Sequence, residues 1–390
     1  MKIVVAPQSF KGSLDAPDVA ACIARGIRQV FPAAEITVLP VADGGEGTVR
    51  ALVQASNGRI VSARVMGPLE RPVNANWGLL GDDSTGVIEM AAASGLPLIR
   101  RDERNPMRTT TYGTGELIRH ALNHGIRRLI IGIGGSATND GGTGMARALG
   151  VRFLDAEGRE LPLGGGALRR LAKIDVSDLD ARIKDVEVEV ASDVNNPLCG
   201  PNGASAVYGP QKGADHHMVQ DLDVGMRRYG ELLGRDLGKH VADIPGAGAA
   251  GGLGAGLMAF LDARMQSGVE IIFEALQLDQ HLGRADLVFT GEGRMDRQDL
   301  YGKAPLAVGQ RAHRLGVPCI AVVGSTGRDY QVVYDHGIDA VIGTTNRPMP
   351  LDRAVSESSR LITEAAMRAC RMVRVGQTMS ERRGGGPPGQ

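Results

Sequence analysis

Aromatic residues are scarce, with one Trp, six Tyr and six Phe in 390 residues. A core poor in large rings closes by aliphatic packing and close backbone approach, and 55 glycines, about twice the ~7% average, suit the second. Net charge is absent as well. The 44 Lys+Arg balance 44 Asp+Glu, so no overall field draws in nucleic acid or an anionic membrane. No apolar run approaches the ~18 to 20 residues of a membrane helix, and the opening MKIVVAP is too short for a signal peptide. A cytoplasmic protein is expected. Cysteine is limited to Cys22, Cys199, Cys319 and Cys370, far apart and without a CxxC pair, which reads as reduced thiols rather than a disulfide frame. What is present excludes a disordered chain, because 43% hydrophobic and 23% charged residues are close to the globular average.

At ~150 residues per domain the length suggests two domains. Lys2 to Ala6 is a β-branched run followed by a loop and a helical stripe at Val19, Ile23, Ile27 and Val30, a β-loop-α unit. Asp15 ahead of Pro17 marks the helix start, with the carboxylate as cap. Ile36 to Val41 and a helix from Thr48 to Ala55 repeat the unit, and unbroken apolar strands alternating with helices predict a parallel sheet. The alternation returns at Asp286 to Thr290, Ala304 to Leu315, Pro318 to Val323, Ala340 to Ile342 and a long helix ending near Val375. Between them Val65 to Glu89 reads as short antiparallel strands, and further strands are expected at Leu129 to Ile133 and Val186 to Ala191. The expected fold is α/β: a doubly wound, flavodoxin-like parallel-sheet domain from residues 1–64 plus 284–375, interrupted by a second α/β domain at 65–283. Residues 376–390, which contain GGGPPG, are expected to form a disordered tail.

Ligands of open parallel sheets bind outside the carboxyl ends of the strands. Those positions carry PQSFKGS with Ser9 and Lys11, ADGGEGT with Asp43 and Glu46, TGEGRMD with Glu292, Arg294 and Asp296, and GSTG with Ser325. In the middle of the chain IIGIGGSATNDGGTG runs from a strand into a Gly-rich loop whose N–H groups suit an anion. Its rival reading is a dinucleotide fingerprint, because Gly132, Gly134 and Ala137 fit G-x-G-x-x-A with Asp155 downstream. DVNNPLCGPNGASAVYGPQKGAD adds Asp193, Asn195, Asn196, Gln211 and Lys212, a set suited to a small polar substrate. GAGAAGGLGAG reads either as a loop approaching a phosphate or, the favoured reading, as a tightly packed Gly/Ala helix and hinge. His120 and His124 share an i, i+4 spacing without a third ligand and read as solvated histidines. Walker A and G-x-S-x-G patterns are missing, which disfavours P-loop NTPases and ordinary α/β-hydrolases.

APQSFKGSL, ADGGEGT, GIGGSATNDGG, the DVNNPLxG…GPQKGA block, GAGAAGGLGAG and TGEGRMDRQ occur in the order of the type I glycerate kinase family, which this chain resembles. The resemblance implies ATP-dependent phosphorylation of D-glycerate in a cleft between two domains, with Mg²⁺ required and 2-phosphoglycerate the usual product. The family's first motif commonly reads APDSFKGS, so Gln8 stands here in place of an Asp. Phosphoryl transfer needs positioning and charge neutralisation; among the carboxylates Asp193 is the expected base, and Lys11 and Arg294, which can serve the anions, are the other expected catalytic residues. Ser9, Asn195 and Lys212 are the expected substrate contacts. Gly134, Gly135, Ser136, Thr138, Asn139, Asp140 and Gly141 are expected at the nucleotide, and metal ligands are drawn from Asp43, Glu292 and Asp296 because Mg²⁺ takes few carboxylates. The expected partners are glycerate and ATP, with no nucleic acid and no membrane; a homodimer is the assembly considered. The alternatives are an NAD(P)-dependent dehydrogenase of a small hydroxy acid using the GIGGSA loop, and a non-catalytic hydroxy-acid-binding regulator.

Overall fold

The computed structural model describes residues 1–42, 44–297 and 303–384. In chain order its strands are β1 (Lys2–Val5), β2 (Glu35–Val38), β3 (Arg59–Met66), β4 (Pro72–Leu79), β5 (Thr85–Glu89), β6 (Arg128–Gly132) and β7 (Arg152–Leu154). They continue with β8 (Lys173–Asp175), β9 (Glu187–Ala191), β10 (Arg264–Gln266), β11 (Leu287–Met295), β12 (Cys319–Thr326) and β13 (Ala340–Gly343). The chain divides into two compact units, one of Met1–Ala42 with Ile272–Gln390 and the other of Asp43–Ile271. No helix among the described residues is long and apolar enough to cross a membrane.

The first unit holds a parallel sheet ordered β13-β12-β11-β1-β2. Counted within the unit this is the 2-1-3-4-5 order of flavodoxin-like sheets, whose switch point lies between the first and third strands, here β1 and β11. Helix Ala16–Val30 lays Val19, Ile23 and Ile27 onto Ile3, Val5 and Phe289, and helix Ser358–Gly384 adds Ile362 and Ala366 to the same core. Asp15 is extended at the N-cap with Pro17 in the first turn, but its carboxylate makes no capping hydrogen bond. The C-terminal helix continues through Gly384, so residues 376–384, expected in a disordered tail, are helical. The rest of that tail lies outside the described residues.

Strand β11 is longer than its sequence suggests. TGEGRM, read as a loop because of its glycines, stays paired with β12 as far as Met295 opposite Thr326. A Cβ on Gly291 would stand 2.0 Å from Val322 O and one on Gly324 2.5 Å from Gly293 O, so these glycines mark close backbone approach inside the sheet.

The second unit has a mixed sheet ordered β10-β9-β6-β5-β4-β3, antiparallel through β3-β4-β5 and parallel through β5-β6-β9-β10, with β7 and β8 paired separately. Its core joins Trp77, Leu117, Ile131, Met145, Leu253 and Phe260. The expected boundary at 64 falls inside β3, which pairs with β4 from Arg59 to Met66 and so belongs here. Helix Thr48–Ala55 moves with it, since Val49 and Val53 pack over Gly78 of β4. GAGAAGGLGAG forms helix Ala249–Leu261 with a kink at Ala250, Gly251 and Gly252. His120 and His124 stack beside Trp77, whose Nε1 donates to His120 Nδ1 at 3.0 Å, so His120 is a partner of the core.

Gly26 tests the packing of the first unit. An exposed helix interior would gain ~1 kcal/mol on Gly→Ala, yet here the added Cβ would lie 2.4 Å from Thr363 O and 2.8 Å from Ala366 Cβ. Overpacking costs ~1–3 kcal/mol, so Gly26→Ala is expected to lower the urea midpoint; a raised midpoint would mean the two helices separate freely.

Candidate active site

At the carboxyl edge of the second unit's sheet, loop Gly44–Gly47 lies flat over the ends of β6 and β9. A Cβ on Gly132 would come within 2.4 Å of Gly44 O, and one on Gly44 within 2.7 Å of Ala191 Cβ. Glu89, at the end of β5, accepts Val49 N at 2.8 Å on Oε1 and so holds the start of helix Thr48–Ala55; burial raises its pKa, and Glu46 adds to the effect. ADGGEGT, the GIGGSATND loop and DVNNPL therefore share one sheet edge. Asp43 lies outside the described residues.

The Gly-rich loop is built from inside. Asp140 is fully buried and accepts Thr111 N at 2.8 Å, Thr111 Oγ1 at 2.9 Å, Gly142 N at 3.2 Å and Gly144 N at 3.3 Å. Burial raises its pKa and the backbone donors oppose the rise. Lys212, 1% exposed, donates Nζ to Ser136 Oγ at 2.7 Å and Thr138 O at 2.6 Å. Burial pulls its ammonium down to about 7 against the favourable charge of Asp140. Thr109 Oγ1 donates to Ala137 O at 2.8 Å, and Asn139 Nδ2 to Ser205 Oγ at 2.9 Å. Tyr229 packs on Gly141, and burial with Asp140 nearby holds its phenol well above the ordinary range.

This corrects the sequence reading. Ser136, Thr138, Asn139 and Asp140 are buried, with Ser136, Asp140 and Asn139 Nδ2 bonded within the protein and Thr138 Oγ1 and Asn139 Oδ1 without a partner among the described residues, and Gly134 and Gly135 are the exposed part of the loop. Lys212, expected at the substrate, spends two donors on the loop. The dinucleotide fingerprint does not form a βαβ unit. The six-residue helix Thr143–Ala148 leads to β7, which pairs antiparallel with β8 outside the main sheet, and Asp155 accepts Arg159 N and Glu157 N at 2.9 and 3.0 Å to close a turn. Asp193 and Asn195 are exposed beyond β9, with Gly268 N donating to Asp193 Oδ1 at 3.2 Å. Asn196 is committed to Asn202 O and Tyr208 OH.

The first unit carries the remaining residues at its switch point. Gln8 N donates to Gly291 O at 2.8 Å and a Cβ on Gly293 would lie 3.5 Å from Lys11 N, which sets the loop with Ser9 and Lys11 against β11. Lys11 and Arg294 are exposed; Arg294 Nε stands 3.2 Å from Asp296 Oδ2. Glu292 is 6% exposed, with Lys303 Nζ at 3.9 Å from its Oε2. Four residues along an extended strand span ~13 Å, so Glu292 and Asp296 are held apart rather than brought together. Among the described residues no group of three or more His, Cys, Asp or Glu forms a metal site. Arg104, Glu89 and the Thr109–Thr111 run escaped the sequence reading; RNPMRTTT carries no Gly-rich signal to mark them.

Both α/β units carry Gly-rich loops and small polar groups at the carboxyl edges of parallel strands, the place where ligands of open α/β sheets bind. The model of the glycerate kinase family matches residues 3–374. The chain is 51% identical to a glycerate kinase of Bacillus subtilis (strain 168), over 97% of this chain and 99% of that one. It is 52% identical to a glycerate 2-kinase of Escherichia coli (strain K12), over 91% and 93%. A crystal structure assigned as glycerate kinase 2 from Salmonella typhimurium LT2 superposes with a TM-score of 0.90 at 49% identity, over 97% of this chain and 99% of that chain. The chain belongs to the glycerate kinase family, and it is an enzyme of the kinase class.

Lys212 yields a pH test. Its folded value is about 7, and the unfolded value is ~10.4. Between them the unfolded state binds more protons, so wild-type stability rises with pH across that window and the contribution is lost as pH falls through the folded value. Lys212→Met removes this dependence. The wild-type minus variant difference in unfolding free energy is expected to grow from about pH 7 to about pH 10; a flat difference would show that the lysine is not desolvated.

Proposed function

We propose that the protein transfers the γ-phosphoryl group of ATP to the 2-hydroxyl of D-glycerate, releasing ADP and 2-phosphoglycerate. The observation that carries this reading is the 52% identity, over 91% of the chain, to a protein named glycerate 2-kinase. The Gly134–Gly135 backbone offers N–H donors to a phosphate, with Lys212 and Asp140 fixing the loop beneath it. Lys11 and Arg294 are long exposed cations suited to neutralising transferred charge, Ser9 and Asn195 are polar contacts for substrate, and Asp193 orients or deprotonates the hydroxyl.

Mg²⁺ fits the donors present, because it is commonly held by only one or two protein carboxylates together with water and substrate phosphates. Asp43, Glu292 and Asp296 are the carboxylates from which its ligands are drawn. The separation of Glu292 and Asp296 means that a single ion takes one of that pair. When bound, Mg²⁺ neutralises charge on the phosphate oxygens.

Incubation with ATP, Mg²⁺ and each glycerate enantiomer, with products read by phosphorus NMR, is expected to give 2-phosphoglycerate from the D form. ADP formation no higher than the glycerate-free background would sink the reading. Asp193→Asn keeps size and hydrogen bonding while removing proton-accepting ability, so kcat is expected to fall ~10²- to 10⁴-fold with ATP affinity nearly unchanged. Partial rescue of this variant by added Mg²⁺ would reassign Asp193 to the metal.

A further inference from the structure

Beyond the strand-end motifs, Arg104 of the second unit has an enclosed nitrogen without a hydrogen-bond partner among the described residues. Arg104 is half-buried; the enclosed atom is its Nε, and its Nη1 reaches Gln211 O only at 3.4 Å. Arg71 is paired with Glu103 at 2.9 Å and Arg100 with Asp102 at 2.7 Å, so the neighbouring carboxylates are committed elsewhere. A part-buried guanidinium in this condition is costly unless an acceptor arrives.

The acceptor has a place to sit. Arg104 lines a cavity of about 320 Å³ with Glu70, Arg71, Asp102, Glu103 and Arg108, at the small end of the ~300–1,000 Å³ of ligand pockets. Strand β3 runs in the same sense as β5, so the β3–β4 turn beside this cavity lies at the same sheet edge as the Gly-rich loop. The wall is fixed to that loop. A Cβ on Gly213 would come within 2.4 Å of Arg104 O, which seats the segment against the turn bearing Lys212, and Thr109 Oγ1 and Thr111 N bind Ala137 O and Asp140.

We propose that Arg104 binds the carboxylate of the hydroxy-acid substrate, a specificity contact that rests on the glycerate kinase reading above. The planar guanidinium fork matches a planar carboxylate. With the Arg71–Glu103 pair neutral and Asp102 taken by Arg100, Arg104 and Arg108 face Glu70 alone, an excess of one positive charge. That balance suits a monoanion and disfavours a polyphosphate.

Calorimetric titration of the full chain with D-glycerate, with inorganic phosphate and with ATP, for wild type, Arg104→Gln and Arg104→Lys, tests this independently of turnover. Losing a charged hydrogen-bond donor is expected to weaken D-glycerate binding and raise its KM ~10- to 100-fold, with ATP affinity within about twofold and kcat less affected than KM. Arg104→Lys keeps the charge and is expected to recover part of the loss, which a folding defect would not show. Unchanged D-glycerate binding, absent binding by wild type, or a loss confined to phosphate or ATP would each overturn the proposal. Active wild type with unchanged variant binding removes this proposal alone, whereas glycerate binding lost in the variant of an enzyme that forms no ADP removes the kinase reading alone.

Discussion

A single buried carboxylate sets the geometry of the second unit's sheet edge. Asp140 is fully buried, which raises its pKa, and backbone and hydroxyl donors from Thr111, Gly142 and Gly144 converge on it and oppose that rise. The consequence is structural. The same oxygens tie the start of helix Thr143–Ala148 to the Thr109–Thr111 run, and Lys212 ties the other half of the loop through Ser136 and Thr138. Asp140 and Lys212 thus constrain the loop from its two halves.

That constraint explains why the loop's sequence misled. Small polar residues between glycines read as ligand groups, since the same residue types line anion sites. In SATND Ser136 Oγ, Asn139 Nδ2 and the Asp140 carboxylate are used by the protein itself, whereas Thr138 Oγ1 and Asn139 Oδ1 are buried without a partner among the described residues, and the solvent-facing positions are the side-chain-free Gly134 and Gly135. Sequence alone does not distinguish a loop that presents hydroxyls from one that uses them for its own support. Burial and partner geometry do.

Other features were legible to different depths. The alternation of apolar strands with amphipathic helices depends on local periodicity, and both the flavodoxin-like order of the first unit and the mixed sheet of the second follow it. The unit boundary depended on a long-range pairing, β3 with β4, that no local pattern carries. The length of β11 was hidden for a related reason. Gly291 and Gly324 were read as turn formers, but each is small because a neighbouring strand's backbone passes within contact distance. In a chain with 55 glycines and few rings, glycine marks close packing as often as it marks a bend.

The two sheet edges are equipped differently. The second unit fixes its Gly-rich loop during folding, through the buried Asp140 and Lys212. The first unit offers Lys11 and Arg294 on long, exposed stems, with Arg294 Nε 3.2 Å from Asp296 Oδ2. In the proposed reaction the charge that must stay still is buried, and the charge that must change partners sits on flexible arms. Arg104 falls between these cases: its Nε is enclosed like Lys212, its outer nitrogen has only a weak partner, and its backbone is clamped to the rigid loop. A group held in place with only a weak hydrogen bond at its outer end is suited to selecting a substrate, because binding there breaks no bond of comparable strength.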